Sequence, residues 1–359
     1  MSAERDAAPA PELGRVRTGA LDLPVEAVAP AETVLPETVE EVDAVVVGGG
    51  ASGLAAALWI ARYRRSVLVV DSGEHRNDRV ERSHGYLGRD PQTPRDLLER
   101  GREEVLAYPT AAIRHARVER VRRRDDGLFE VALDVGDRVV AHRVLLATGV
   151  VDVKPEIAGM EVHYGASVFH CPACDGYEAR DQHVVALGWD AHLVGFATTL
   201  LSWACSVTVV TDGRRFAGDE TCHALLDRHG ITLDERRAVA FVGERGDLRA
   251  LRLDDGTELP CTLALFSVAH RPRTDLATAL GCALDEEGYV AVDGEGLTSV
   301  PGVYAAGDLV PGLQLTQVAA AKGTVAGVAL AQSMFGEPGA ATSVVPAPDV
   351  EAELAALRG

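Results

Sequence analysis

Apolar positions along the chain fall in short unbroken runs, each followed by a turn and then a longer amphipathic or apolar stretch. Asp43-Ala44-Val45-Val46-Val47 suits a parallel strand covered on both faces. A cluster of glycines follows, then a helical pattern over 54–63 and a second apolar run over 66–70 that ends at Asp71. Strand, turn, helix and strand within about 30 residues form the opening unit of a dinucleotide-binding fold. The same order returns later, with apolar runs over 183–187 and 206–210 flanking a helical pattern over 191–204. Two further apolar strands end in Thr148-Gly149 and in Gly307-Asp308. The fold class is α/β, with two Rossmann-like units. Trp59 and Trp203 lie on apolar helix faces and are expected in the core. Arg122-Arg123-Arg124 ends a strand-like stretch beside Asp125-Asp126 and reads as a solvated turn and not a site.

The two ends break this pattern. Residues 1–41 are rich in Ala, Pro and Glu and are expected to be a disordered, acidic extension, with short apolar patches over 21–28 and 34–39. Residues 337–359 read as a tail, with a Pro/Ala-rich linker and a short helix over 349–357. With 54 acidic and 35 basic residues, the net charge of -19 argues against nucleic acid and anionic membrane surfaces as partners. No apolar run reaches the roughly 18 residues that span a bilayer. The start of the chain has no apolar signal-peptide core, so a cytoplasmic location is expected.

Two motifs carry chemistry. In the first, Cys171-Pro172-Ala173-Cys174-Asp175, two thiols stand three positions apart. Such a pair closes and reopens as a disulfide through a mixed-disulfide intermediate. Pro172 fits the first position of a helix, whose free N–H groups would favour a thiolate. The competing reading is half of a zinc site, which would need two further ligands. The other cysteines, Cys205, Cys222, Cys261 and Cys282, are far apart, and Cys222-His223 is the nearest approach to a second pair. Redox chemistry is therefore expected and a metal is not. The second motif, Gly48-Gly49-Gly50-Ala51-Ser52-Gly53, fits G-x-G-x-x-G between a strand and a helix. Gly48 permits the tight turn, Gly50 lets a pyrophosphate approach, and Gly53 lets helix and strand pack closely. Asp71 follows Gly53 by 18 residues and ends the second strand, where a carboxylate can accept from ribose hydroxyls.

The ordered combination of glycine motif, Thr148-Gly149, Cys-x-x-Cys-Asp-Gly and Gly307-Asp308 over 42–336 resembles the low-molecular-weight thioredoxin reductases. That resemblance implies FAD, with the glycine motif on its ADP half, Gly307-Asp308 on its ribityl and phosphate region, and Gln317 near the flavin ring. The candidate cofactor set is Gly48, Gly50, Ala51, Ser52, Gly53, Asp71, Ser72, Thr148, Gly149, Gly307, Asp308 and Gln317. It also implies a discontinuous FAD domain, 42–156 plus 287–336, around a second domain, 157–286, that carries the cysteines. A homodimer is implied as well. Cys174 would face the flavin and Cys171 the substrate, with Asp175 as nearest acid/base and His170 and His84 as further candidates.

The chain departs from that family in its second glycine loop, which reads Gly188-Trp189-Asp190-Ala191-His192-Leu193. Asp190 opposes a pyrophosphate, and Trp189 and Leu193 add bulk, so the nicotinamide site is expected to be degenerate. Asp212 beside Arg214-Arg215 likewise weakens a site for a 2′-phosphate. Arg76-Asn77 and the stretch over 83–90 resemble small-molecule dithiol oxidases of the gliotoxin and holomycin type. Asp175 instead matches the thioredoxin reductases. The expected activity is FAD-dependent oxidation of a small-molecule dithiol with O2 as acceptor. The alternatives are an NAD(P)H-dependent thioredoxin or disulfide reductase, and a redox-sensing flavoprotein without turnover.

Overall fold

The structure is a computed structural model and describes residues 40–335. The expected tail over 337–359, the helix over 349–357 and all but the last two residues of the expected extension lie outside the described residues.

The first unit begins with β1 (Glu40–Val47), α1 (Ala51–Arg62) and β2 (Val67–Asp71). An irregular segment then leads to α2 (Pro94–Leu106) and β3 (Ala111–His115). A meander of β4 (Val118–Arg123), β5 (Phe129–Leu133) and β6 (Arg138–Leu146) follows. The sheet order is β3-β2-β1-β6-β5-β4, and β1 runs parallel to both β2 and β6. Glu40 and Glu41 pair with Val139 and Val140, so β1 starts earlier than the apolar run suggested. Its side chains alternate between two cores. Val45 and Val47 join one and Ala44 and Val46 the other, which is why the run is apolar on both faces.

The chain leaves this sheet through β7 (Val150–Val153). Next come α3 (Met160–His163), β8 (Val168–Phe169), α4 (Pro172–Asp175), β9 (His183–Leu187), α5 (His192–Leu200) and β10 (Ser206–Val210). After α6 (Glu220–Arg228) and β11 (Thr232–Asp234), the strands β12 (Ala238–Glu244), β13 (Asp247–Leu253) and β14 (Glu258–Pro260) make a small antiparallel sheet. With β15 (Leu263–Phe266), the second parallel sheet has the order β11-β10-β9-β15-β8. β16 (Ala269–Pro272) returns antiparallel to β7, so these two strands form the crossing between the units. Past α7 (Asp275–Ala279), β17 (Val303–Ala305) rejoins the first sheet beside β6, and α8 (Thr316–Gln332) packs on α1. The first unit is thus built from two separated stretches of chain.

Both tryptophan expectations need correction. Trp59 is half-buried beneath the Arg62 guanidinium, 5.5 Å from the ring centroid. Trp203 lies in turns after α5, which stops at Leu200, and its ring lies against Gly176 directly behind α4. It supports the cysteine segment instead of filling the core.

Candidate active site

A cavity of about 790 Å³ lies between the β1–α1 loop and the α4 turn. At its floor Gly48 has φ +107°, and a side chain on Gly53 would run into the Gly48 carbonyl oxygen. Glycine at these two positions lets the loop fold back over β1. Gly50 has no heavy atom near the place a Cβ would take, so this part of the loop is open. No side chain caps α1, and the free N–H groups of its first turn remain available to an anion.

Ala51, Ser52, Asp71 and Ser72 line the same cavity, as do Thr148, Gly149, Gly307, Asp308 and Gln317. Gly53 lies beneath it and shapes the loop from below. The Ser52 hydroxyl and Asp308 Oδ1 are buried without a partner. Buried polar atoms of this kind are costly unless a ligand or water completes them. An open glycine loop, a helix start and two unfilled polar atoms along one cavity fit FAD.

Asp71 is held by His75 Nε2 at 3.1 Å, an Arg102 Nη2 hydrogen bond of 3.2 Å and the Gly73 N–H at 3.1 Å. Burial opposes its ionisation, but these partners, His75 first, keep its carboxyl well below the usual range. It is therefore a fixed negative charge. Gln317 accepts from the Leu87 N–H at 3.2 Å and sits in the first turn of α8.

The cysteines stand on the opposite wall. Cys171 and Cys174 are joined by a disulfide. Cys171 caps α4, its sulfur accepts from the Cys174 N–H at 3.1 Å, and Pro172 fills the first helical position. Asp175 is 7% exposed. Burial, and then the neighbouring Glu178, push its carboxyl up to about 7, against the opposing charge of His84. At neutral pH it can therefore give or take a proton. Burial brings His170 down to about 4, so its ring is neutral. Its Nδ1 is 3.2 Å from the Tyr164 hydroxyl and its Nε2 is 3.6 Å from Asp152 Oδ2.

Behind this wall Arg76 acts as a hub. It donates to both oxygens of Asp152 at 2.9 and 2.6 Å, to Asp308 Oδ2 at 2.9 Å and to Gln314 Oε1 at 2.7 Å. One guanidinium therefore ties the segment after β2 to the crossing strand β7 and to the start of the 307–309 turn. Sequence reasoning singled out Arg76 only as part of a resembling stretch and missed Asp152 and Gln314. The partners are 76 to 238 residues apart, so no local signal could reveal the hub.

The second glycine loop keeps its first glycine and an uncapped helix start but not the other glycines. Leu193 is fully buried and lies under Gly188, with its Cδ1 3.0 Å from where a Gly188 Cβ would stand. The Arg214 guanidinium stacks 3.5 Å from the Trp189 ring centroid, and the Ala217 N–H donates to the Trp189 carbonyl at 2.8 Å. Asp212 is turned to accept from the Ala238 N–H at 3.1 Å.

Fold, cavity and disulfide together define a flavin-dependent thiol–disulfide oxidoreductase. The chain belongs to the pyridine nucleotide-disulphide oxidoreductase family, whose model matches residues 42–323, and within it is a thioredoxin reductase-like flavoprotein that binds FAD. It is 30% identical to thioredoxin reductase tcpT of Claviceps purpurea over 317 residues, 85% of this chain and 98% of that protein. Thioredoxin reductase of Mycolicibacterium smegmatis is 30% identical over 284 residues, 75% of this chain and 88% of its own length. The solved structure of HlmI superposes with a TM-score of 0.80 at 33% identity, covering 90% of this chain and 99% of that one. A thioredoxin reductase TrxB structure from Bacillus anthracis gives 0.78 at 28% identity, covering 82% and 99%. Among the described residues no helix is long and apolar enough to cross a membrane.

Proposed function

We propose that this protein is a dithiol oxidase: it closes a disulfide in a small-molecule dithiol and uses O2 as the final acceptor. What supports this reading is the second glycine loop, where Asp190 and Leu193 replace two glycines, Leu193 packs under Gly188 and Arg214 stacks on Trp189. The open first loop, with Gly48, Gly50, Ala51, Ser52, Asp71, Ser72, Thr148, Gly149, Gly307, Asp308 and Gln317 along one cavity and Gly53 beneath it, is assigned to FAD. Bound there, FAD supplies a two-electron acceptor for the cysteine pair and a donor to oxygen.

The chain's own residues do the rest. A substrate thiolate attacks Cys171, and Cys174 leaves as thiolate. The second substrate sulfur then attacks the first and expels Cys171, releasing the product disulfide. The Cys174 N–H stabilises the departing Cys171 sulfur. Asp175, balanced near neutrality, exchanges a proton with the pair, and neutral His170 shapes the wall beside Cys171. The assembly is assigned as a homodimer, and sedimentation of the holoenzyme at twice the chain mass is the expected result.

A reductase reading rests on Asp175, which matches the thioredoxin reductases, and on the names of the relatives. Anaerobic mixing with NADPH, NADH or dithiothreitol separates the two. The oxidase reading expects dithiothreitol to bleach the flavin quickly and the nucleotides to do so slowly or not at all. It also expects peroxide in air, in step with dithiol consumed. Rapid bleaching by either nucleotide would replace the oxidase reading with the reductase one.

A further inference from the structure

Oxidising a dithiol releases two protons, and the walls around the disulfide must take them. This requirement rests on the thiol chemistry proposed above. His170 is poorly suited to the task, because burial brings its ring down to about 4 and leaves it a weak base. Asp175 is buried next to the pair and offers one site.

A second group arrives from the other unit. The segment between β2 and α2 brings His84 into the cavity that Cys171 and Cys174 line. His84 Nδ1 lies 2.9 Å from Asp90 Oδ1, and the neighbouring Gly85 N–H donates to Asp90 Oδ2 at 3.2 Å. One carboxylate thus fixes both the ring and its backbone. A ring that donates through Nδ1 presents Nε2 as an acceptor. That nitrogen is 3.6 Å from Glu178 Oε1, on the turn directly after Asp175. Glu178 Oε2 is buried with no partner. The arrangement is carboxylate, imidazole and then an incompletely satisfied acid, of which the imidazole lines the cavity that the disulfide lines.

We propose that His84, oriented by Asp90, is the base that accepts the proton of the attacking substrate thiol. The S–H bond breaks and its proton goes to Nε2. The sulfur electron pair forms the bond to Cys171, and the Cys171–Cys174 bond breaks with its pair on Cys174. Glu178, half exposed, then relays the proton from Nε2 to solvent, freeing the imidazole for the second thiol. That thiol closes the product disulfide and expels the Cys171 thiolate. The substrate loses two electrons and two protons, and the cysteine pair gains the electrons.

The test is the rate at which dithiothreitol reduces the Cys171–Cys174 disulfide in the anaerobic holoenzyme. It is read by acid quench, thiol alkylation and mass spectrometry, so neither oxygen nor a nucleotide enters. The charged groups facing His84 are Asp90, Glu178 and Asp175. Asp175 titrates in both proteins, somewhat higher once His84 no longer opposes its rise, so the quantity read is the rate ratio across pH and not at one pH. At pH 7 His84→Gln should slow reduction by about 100-fold. The deficit should shrink toward none as pH passes the ordinary thiol value of about 8.5, where the attacking sulfur needs no base. Asp90→Asn should show the same convergence from a smaller deficit of roughly tenfold, and it carries the test if the His84 variant does not fold. A deficit that stays constant with pH, or no deficit in either variant, would overturn the proposal. Rapid flavin bleaching by NADPH would defeat the oxidase reading instead, and it would leave this exchange rate readable.

Discussion

The β1–α1 and β9–α5 units are built alike and differ in their glycine loops. Both start from a strand with a buried apolar run, Ala44–Val47 or Val184–Leu187, and with parallel neighbours. Both continue through a loop that opens on a glycine, Gly48 or Gly188, into a helix with no side-chain cap. They diverge at the third and sixth loop positions, where Gly50 and Gly53 stand against Asp190 and Leu193. In the first unit those positions leave open space and a tight turn. In the second they supply a charge and a core side chain. The apolar strands specify the sheet and do not need the ligand, whereas the loop glycines serve mainly close approach. On the proposed oxidase reading, the second dinucleotide unit has lost its ligand and kept its fold.

The largest effect that would test this comparison is expected at Gly53. Leu at this position meets the Gly48 carbonyl, which is backbone and cannot rotate away. Gly53→Leu should cost more than about 4 kcal/mol and yield protein without flavin, checked by visible absorbance and thermal melting. Yellow Gly53→Leu protein with a full flavin complement would mean that the first loop tolerates what the second contains, and the contrast would fail.

The strands that carry these loops were legible in the sequence, because β1, β2, β9 and β10 hold local apolar runs, whereas β3 and β11 are mixed and were not read. The runs over 183–187 and 206–210 became strands with those bounds, and Pro172 opened a helix as its fixed φ allows. The helix over 191–204 was read too long. Its apolar pattern continues to Ala204, but those side chains pack from turns, one of them Trp203 on Gly176. Polar contacts made across the fold were not legible. Arg76 meets Asp308 across 232 residues, and His84 reaches Glu178 from the other unit. Charge and type name such residues as candidates, and only the tertiary path decides their partners.

An intermediate effect is expected at Leu193. Its side chain is fully buried and fills the space below Gly188, so Leu193→Ala opens a cavity. The cost should be about 2–5 kcal/mol, seen as a melting temperature lower by at least ~4 °C. The flavin should remain bound, since this core is separate from the two that flank β1. NADPH should still fail to bleach it, because Asp190 keeps its charge at the approach. Loss of flavin along with stability would show that the two units are not independent.

The smallest effect is expected at Arg214, and it bears most directly on why the second loop is closed. Arg214 is exposed, and its stack on Trp189 should contribute only about 0.5–1 kcal/mol. Arg214→Ala should therefore melt within a few degrees of wild type. If the stack were the main barrier, its removal would expose the strand end, and NADPH would begin to bleach the flavin in anaerobic mixing. Closure by an exposed side chain would then be a gate that a nucleotide phosphate could open by drawing the guanidinium to itself. Closure by Leu193 and Asp190 cannot open in that way, because one is core and the other repels the phosphate. The geometry favours the second case, so the Arg214→Ala flavin should stay oxidised with NADPH and still bleach with dithiothreitol. Bleaching by NADPH would turn the contrast between the loops from a lost ligand site into a guarded one.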